Sequence, residues 1–246
     1  MRITAETDES LVHYRMLAFV AKAVAYLQQN YRDVISTRDI PADSLELGVQ
    51  QSYHWTTLQQ RPSQLLALRV ASARLCFGSF FMEDPRYLTL QQIVKEQVNT
   101  LRLTDEDPVF EYIAQHQSDW EQDWFRKEFN TIVKLITSRR MIPREAPEWL
   151  SGEDILRHLL QHETRTASHI TAAAHPELIR LIKAIVTNSL PSTFNSHESV
   201  LLAIGQYYDG LYCFDDPFRP RWFNALAGNQ VDSKRYRIQR VFELDI

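Results

Sequence analysis

The sequence predicts a mainly α fold, a multi-helix bundle of about eight to ten helices with a small C-terminal β element. Three observations carry this expectation. Six glycines in 246 residues are few for a glycine-dependent sandwich, a dinucleotide-binding fold or a phosphate loop. Apolar residues make up 44% of the chain, and over most of its length they recur at helical spacing. Strand-like patterning is confined to the last quarter, in Leu211 to Phe214 and in the alternation of Tyr236 to Leu244.

Taken in order, Asp8 to Asn30 reads as the first helix, with Met16, Val20, Ala23, Val24 and Leu27 on one face. Tyr31 to Gln50 reads as a broken connector punctuated by Pro41 and Gly48. With the residues up to Gln60 it has the rhythm of a helix-turn-helix, although its second helix offers glutamines where a DNA-reading helix carries arginines and lysines. Arg61 to Met82 is apolar over much of its circumference, which marks a central helix surrounded by others. Cys76 lies inside it and reads as core. Leu88 to Leu103 forms a further helix, and the acidic turn Asp105-Glu106-Asp107 before Pro108 starts a short one. Ser118 to Arg140 carries Trp120, Trp124, Phe125, Phe129, Ile132 and Ile136 on a wide aromatic face. Pro143 and Pro147 then mark the plainest linker. They divide the chain into an N-terminal helical bundle over 1–140 and a C-terminal helical region over 148–246, with one continuous domain as the other organisation. Ser151 to Glu163 and Pro176 to Ser189 are helices expected to pack their apolar stripes on Arg61 to Met82. A helix from Ser196 to about Tyr208, a turn at Asp209-Gly210 and the two strand-like stretches complete the chain.

Composition narrows function. A net charge of −4 gives no global attraction to nucleic acid or anionic membranes, so such binding needs a local patch. Two cysteines are too few for a disulfide framework or a cysteine zinc site, which points to a reducing, cytoplasmic setting. No run of about twenty apolar residues is present, so no membrane partner is expected. The first ten residues lack the basic and apolar regions of a secretory signal.

Three constellations carry chemistry. Four of the eight histidines, His158, His162, His169 and His175, fall within one stretch. His158 and His162 stand four apart, a spacing that grips metal ions. The pattern is similar to the inverted zinc-protease motif H-x-x-E-H, but Gln161 replaces the glutamate base and an amide takes no proton from metal-bound water. No metal and no other cofactor is therefore expected. Arg157 and His162 form the second constellation, which resembles the R-x4-6-H motif of HEPN-type ribonucleases, a family of small helical bundles. The resemblance covers six residues and the helical character. It implies metal-independent RNA cleavage at an active site paired across a dimer, with Arg157 stabilising phosphate charge and His162 moving a proton.

The third constellation is C-terminal. From Pro217 onward basic residues outnumber acidic ones by six to three. Arg219, Arg221, Arg235, Arg237 and Arg240 interleave with Phe218, Trp222, Phe223 and Tyr236. Guanidinium groups clamp phosphates while rings stack on bases, which suits RNA or single-stranded DNA. The same mixture suits a protein partner, because Arg, Trp and Tyr dominate interface hot spots. The sequence thus favours a non-enzymatic binding subunit or adaptor of a bacterial-type assembly, with the HEPN-like ribonuclease as the competing expectation.

Overall fold

The computed structural model describes residues 5–59, 63–99, 107–116, 174–189, 202–203, 205–207, 209–220 and 222–223. Helix α1, Ala5–Asn30, buries Val20, Ala23, Val24 and Leu27 along the face that its apolar spacing predicts. Its earlier turns leave Leu11, Val12, Tyr14 and Leu17 exposed. Helix α2, Arg32–Thr37, leads to Pro41, which stands at the N-cap of α3, Ala42–Leu58. The expected broken connector is thus helical on both sides of a short turn. The break expected at Gly48 is absent, because α3 runs without interruption through it. The physical reason is packing: a Cβ on Gly48 would lie 2.2 Å from Cζ of Phe218. This glycine makes room for a ring and does not punctuate the chain.

Helix α4, Gln64–Phe77, is the central helix. Leu66, Ala67, Val70, Ala71, Ala73, Leu75, Cys76 and Phe77 are all buried, as expected for a helix wrapped by others. It packs against α1, α3 and the two helices that follow. Ser63 caps its start by accepting the Leu66 N–H at 3.2 Å. Gly78, at φ 100°, ends it earlier than the apolar run predicts, and residues 79–83 form turns.

A 3-10 turn at Pro85–Tyr87 precedes α5, Leu88–Asn99. Helix α6, Pro108–Gln115, is capped by Asp107, which accepts the N–H groups of Val109 and Phe110. The same carboxylate meets the buried Arg69 of α4 at 2.6 Å. One aspartate therefore starts α6 and neutralises a cation inside the bundle.

Helix α7, Ala174–Ser189, buries Leu178, Ile182, Ile185 and Val186 and turns Arg180 and Lys183 outward. Its principal described neighbour is the Pro85–Tyr87 turn, which follows closely on the Arg61 to Met82 stretch. Residues 202–207 are helical where described. Beyond them Leu211 to Phe214 is not a strand. Tyr212 takes a left-handed conformation at φ 54°, Cys213 N–H donates to Gly210 O and Asp215 N–H to Tyr212 O, and Cys213–Asp215 close a 3-10 turn. Its predicted pairing partner, Tyr236 to Leu244, lies outside the described residues, as do the helices expected over Ser118 to Arg140 and Ser151 to Glu163. What is described forms an all-α bundle. Among the described residues no helix is long and apolar enough to cross a membrane.

Candidate functional site

The described part of the C-terminal segment closes on the end of α4. A helix leaves its last carbonyls without intrahelical partners, and here two guanidinium groups take them. Arg38, between α2 and α3, donates to Leu75 O and, at 3.3 Å, to Cys76 O. Arg219 donates to the same Leu75 O at 3.2 Å, to Cys76 O at 3.5 Å and through Nε to Asp209 O at 2.8 Å. Positive charge at a helix C-terminus is favoured by the helix dipole. Two cations so close nonetheless oppose one another: burial first, then the charge of Arg219, pulls the pKa of Arg38 down to about 9. The guanidinium stays protonated at neutral pH, and Asp209 and Asp216 supply opposing charge. Arg74 reaches Ser52 Oγ at 3.2 Å and is lowered by burial to about 10.

Asp216 holds the segment in place. Its carboxylate accepts the Ser79 N–H at 2.8 Å, the Ser79 hydroxyl at 2.5 Å and the Phe218 N–H at 2.9 Å. Two residues on, Phe218 is fully buried with its ring over Gly48. Trp222 is also buried, its Nε1 donating to Asp209 Oδ2 at 2.6 Å. A Cβ on Gly205 would lie 2.3 Å from its ring. Gly78 and Gly210, both at positive φ, bring their backbones into contact, and a side chain at either would strain the backbone.

A second tie lies nearby. Asp84 and Arg86 form a buried ion pair, and Arg86 also donates to the Tyr207 carbonyl. Burial alone would lower the pKa of Arg86, but Asp84 outweighs it and raises it. The two thiols are sealed in the same region. Burial raises Cys76 to about 12 and raises Cys213 well above its ordinary range, so neither is a nucleophile in the folded chain. Gln206 accepts the Tyr212 N–H through Oε1, while its buried Nε2 has no hydrogen-bond partner among the described residues.

Of the residues the sequence marks, Arg219 is only 5% exposed and Trp222 only 1%, and both face inward onto the contacts just given. Phe218 lies with them. Arg221, Arg235, Tyr236, Arg237 and Arg240 lie outside the described residues, as do Arg157, His158, His162 and His169. His175 falls in the first turn of α7. Among the described residues no group of three or more His, Cys, Asp or Glu side chains is arranged to hold a metal ion. Sequence reasoning gave no role to Arg38, Ser79 and Asp216, and read Gly48 and Asp209 only as turn punctuation. Only Asp216 has a local signal, an Asx-type turn onto its own Phe218 N–H across a proline. The others become visible only when residues far apart in the chain meet. No family model, no curated protein and no solved structure matches the chain.

Proposed function

We propose that the protein is a non-enzymatic helical binding subunit, an adaptor of a bacterial-type assembly, that contacts RNA or single-stranded DNA through its C-terminal basic-aromatic segment. Arg221, Arg235, Tyr236, Arg237 and Arg240 make the contacts, while Arg219 and Trp222 serve as anchors. The observation that supports this reading is the interlock at the end of α4. Asp216, Phe218, Arg219 and Trp222 form a buried attachment, and the basic run from Lys234 follows Phe223 after ten further residues. A binding segment held at its root loses less conformational entropy when it meets a partner. Guanidinium groups and rings in alternation then supply phosphate contacts and stacking, which favour single strands.

The test is fluorescence anisotropy of the full chain with a labelled single-stranded RNA, its duplex and a single-stranded DNA. Affinity should fall steeply with salt, since neutralising phosphates releases counterions. The Arg235→Glu, Arg237→Glu variant should bind at least about tenfold more weakly with unchanged helical circular dichroism. Failure of the wild-type chain to bind any of the three would overturn the nucleic-acid reading. A co-purifying protein that the same variant loses would show that the segment serves a protein partner instead.

A further inference from the structure

Two surface turns far apart in sequence stand together beside the interlock. In the first, Glu83 N–H donates to Phe80 O at 2.9 Å; in the second, Asp215 N–H donates to Tyr212 O at 2.8 Å. Each turn thus begins with an aromatic residue and ends with an acid. The backbone contact between Gly78 and Gly210 brings the turns alongside, and the rings of Phe80 and Tyr212 meet at 4.8 Å. Phe80 and Tyr212 are half-buried, and Glu83 and Asp215 are exposed. Neither carboxylate has a cation within ion-pair distance among the described residues, whereas Asp84, next in sequence to Glu83, is closed off by Arg86. The two neighbouring acids therefore differ sharply: one is committed to the interior and one is open.

We propose that the Phe80–Tyr212 step, flanked by Glu83 and Asp215, is a docking surface for a basic segment of a partner protein, one that presents arginine or lysine side chains. The aliphatic stem of an arginine or lysine packs on partly exposed aromatic side chains while its charged head meets a carboxylate, and this surface offers two aromatic residues and two acids. Charge complementarity selects the occupant, since an anionic partner would meet two uncompensated carboxylates. Partial burial already raises the pKa of Asp215, and an approaching cation would draw it back down. Phe80, Glu83, Tyr212 and Asp215 are none of the residues proposed to contact nucleic acid, so the surface stands whether or not those do.

The experiment is a titration of the full chain with a fluorescein-labelled oligoarginine peptide at low and at moderate salt. Saturable binding that weakens with salt is expected. The Glu83→Gln, Asp215→Asn variant should bind about tenfold more weakly. The Asp33→Asn, Glu46→Gln variant removes the same charge from exposed positions on α2 and α3 and should bind like wild type. Tyr212→Asn removes the ring while keeping a residue that tolerates the left-handed backbone, and it should also weaken binding. Equal losses in the two charge variants would mean diffuse attraction and overturn the proposal. An absence of saturable binding by the wild-type chain, or full affinity in Tyr212→Asn, would overturn it as well.

Discussion

Asp216 is fully buried, and its value to the fold lies in the three donors it satisfies. Asp216→Ala leaves the Ser79 N–H, the Ser79 hydroxyl and the Phe218 N–H without their acceptor, at a cost of about 2–4 kcal/mol in urea unfolding. Asp216→Asn retains one accepting oxygen and should cost less. The two thiols act through pH. The pKa of Cys76 is higher in the folded chain, about 12 against an ordinary 9. Above pH 9 the unfolded chain therefore releases a proton that the folded chain keeps, and stability is lost as pH rises from 9 toward 12. Cys213 shifts in the same direction. Arg38, lowered by burial and by Arg219, acts in the opposite sense over that range. A difference measurement isolates the thiols: relative to Cys76→Ala, Cys213→Ala, the wild-type melting temperature should fall progressively between pH 8 and pH 10. At pH 10 Cys76 alone accounts for about 1 kcal/mol. A constant difference would mean that the thiols are not held neutral.

Among the elements, those with local signals were legible in the sequence. The apolar stripe of α1, the apolar circumference of α4 and the aspartate-proline start of α6 each follow from residues within one or two turns. Helix α7 is the clearest case, and Ile182→Asp tests its face. Ile182 is 1% exposed, so the substitution buries an unpaired charge and should cost about 3 kcal/mol or more. Lys183→Asp, one residue on and exposed, should change stability by no more than about 0.5 kcal/mol. Comparable melting temperatures for the two variants would contradict the assigned face. Two elements were misread for one shared reason. Gly48 resembles a helix breaker, and Leu211 to Phe214 resembles a strand, because their true determinants are distant. Phe218 requires the glycine in α3, and Gln206, Gly210 and Tyr212 coil the later segment through hydrogen bonds. The candidate site was half legible in the same way. Arg219 and Trp222 stand out by residue type, but their inward placement depends on Leu75, Cys76, Asp209 and Gly205.

For the whole molecule, the central feature is the closure of residues 209–223 on the C-terminal end of α4. Residues from the predicted 1–140 and 148–246 regions meet there in a polar and aromatic interlock that ties α2, α3 and α4 to the late chain. The same closure roots the proposed nucleic-acid segment and creates the Phe80–Tyr212 surface. Its most specific contact joins positions 170 residues apart, Gly48 and Phe218. In an ordinary helix interior, glycine to alanine is stabilising by about 1 kcal/mol. Here the added Cβ would lie 2.2 Å from the Phe218 ring, which must shift within a packed interior at a cost of about 1–3 kcal/mol. Phe218→Leu keeps an apolar side chain but removes the outer ring atoms that would clash. The decisive measurement is therefore a double-mutant cycle by chemical denaturation with Gly48→Ala and Phe218→Leu. Closure predicts that Gly48→Ala destabilises the wild-type chain and is neutral or stabilising beside Phe218→Leu. An identical effect of Gly48→Ala in both backgrounds would contradict it.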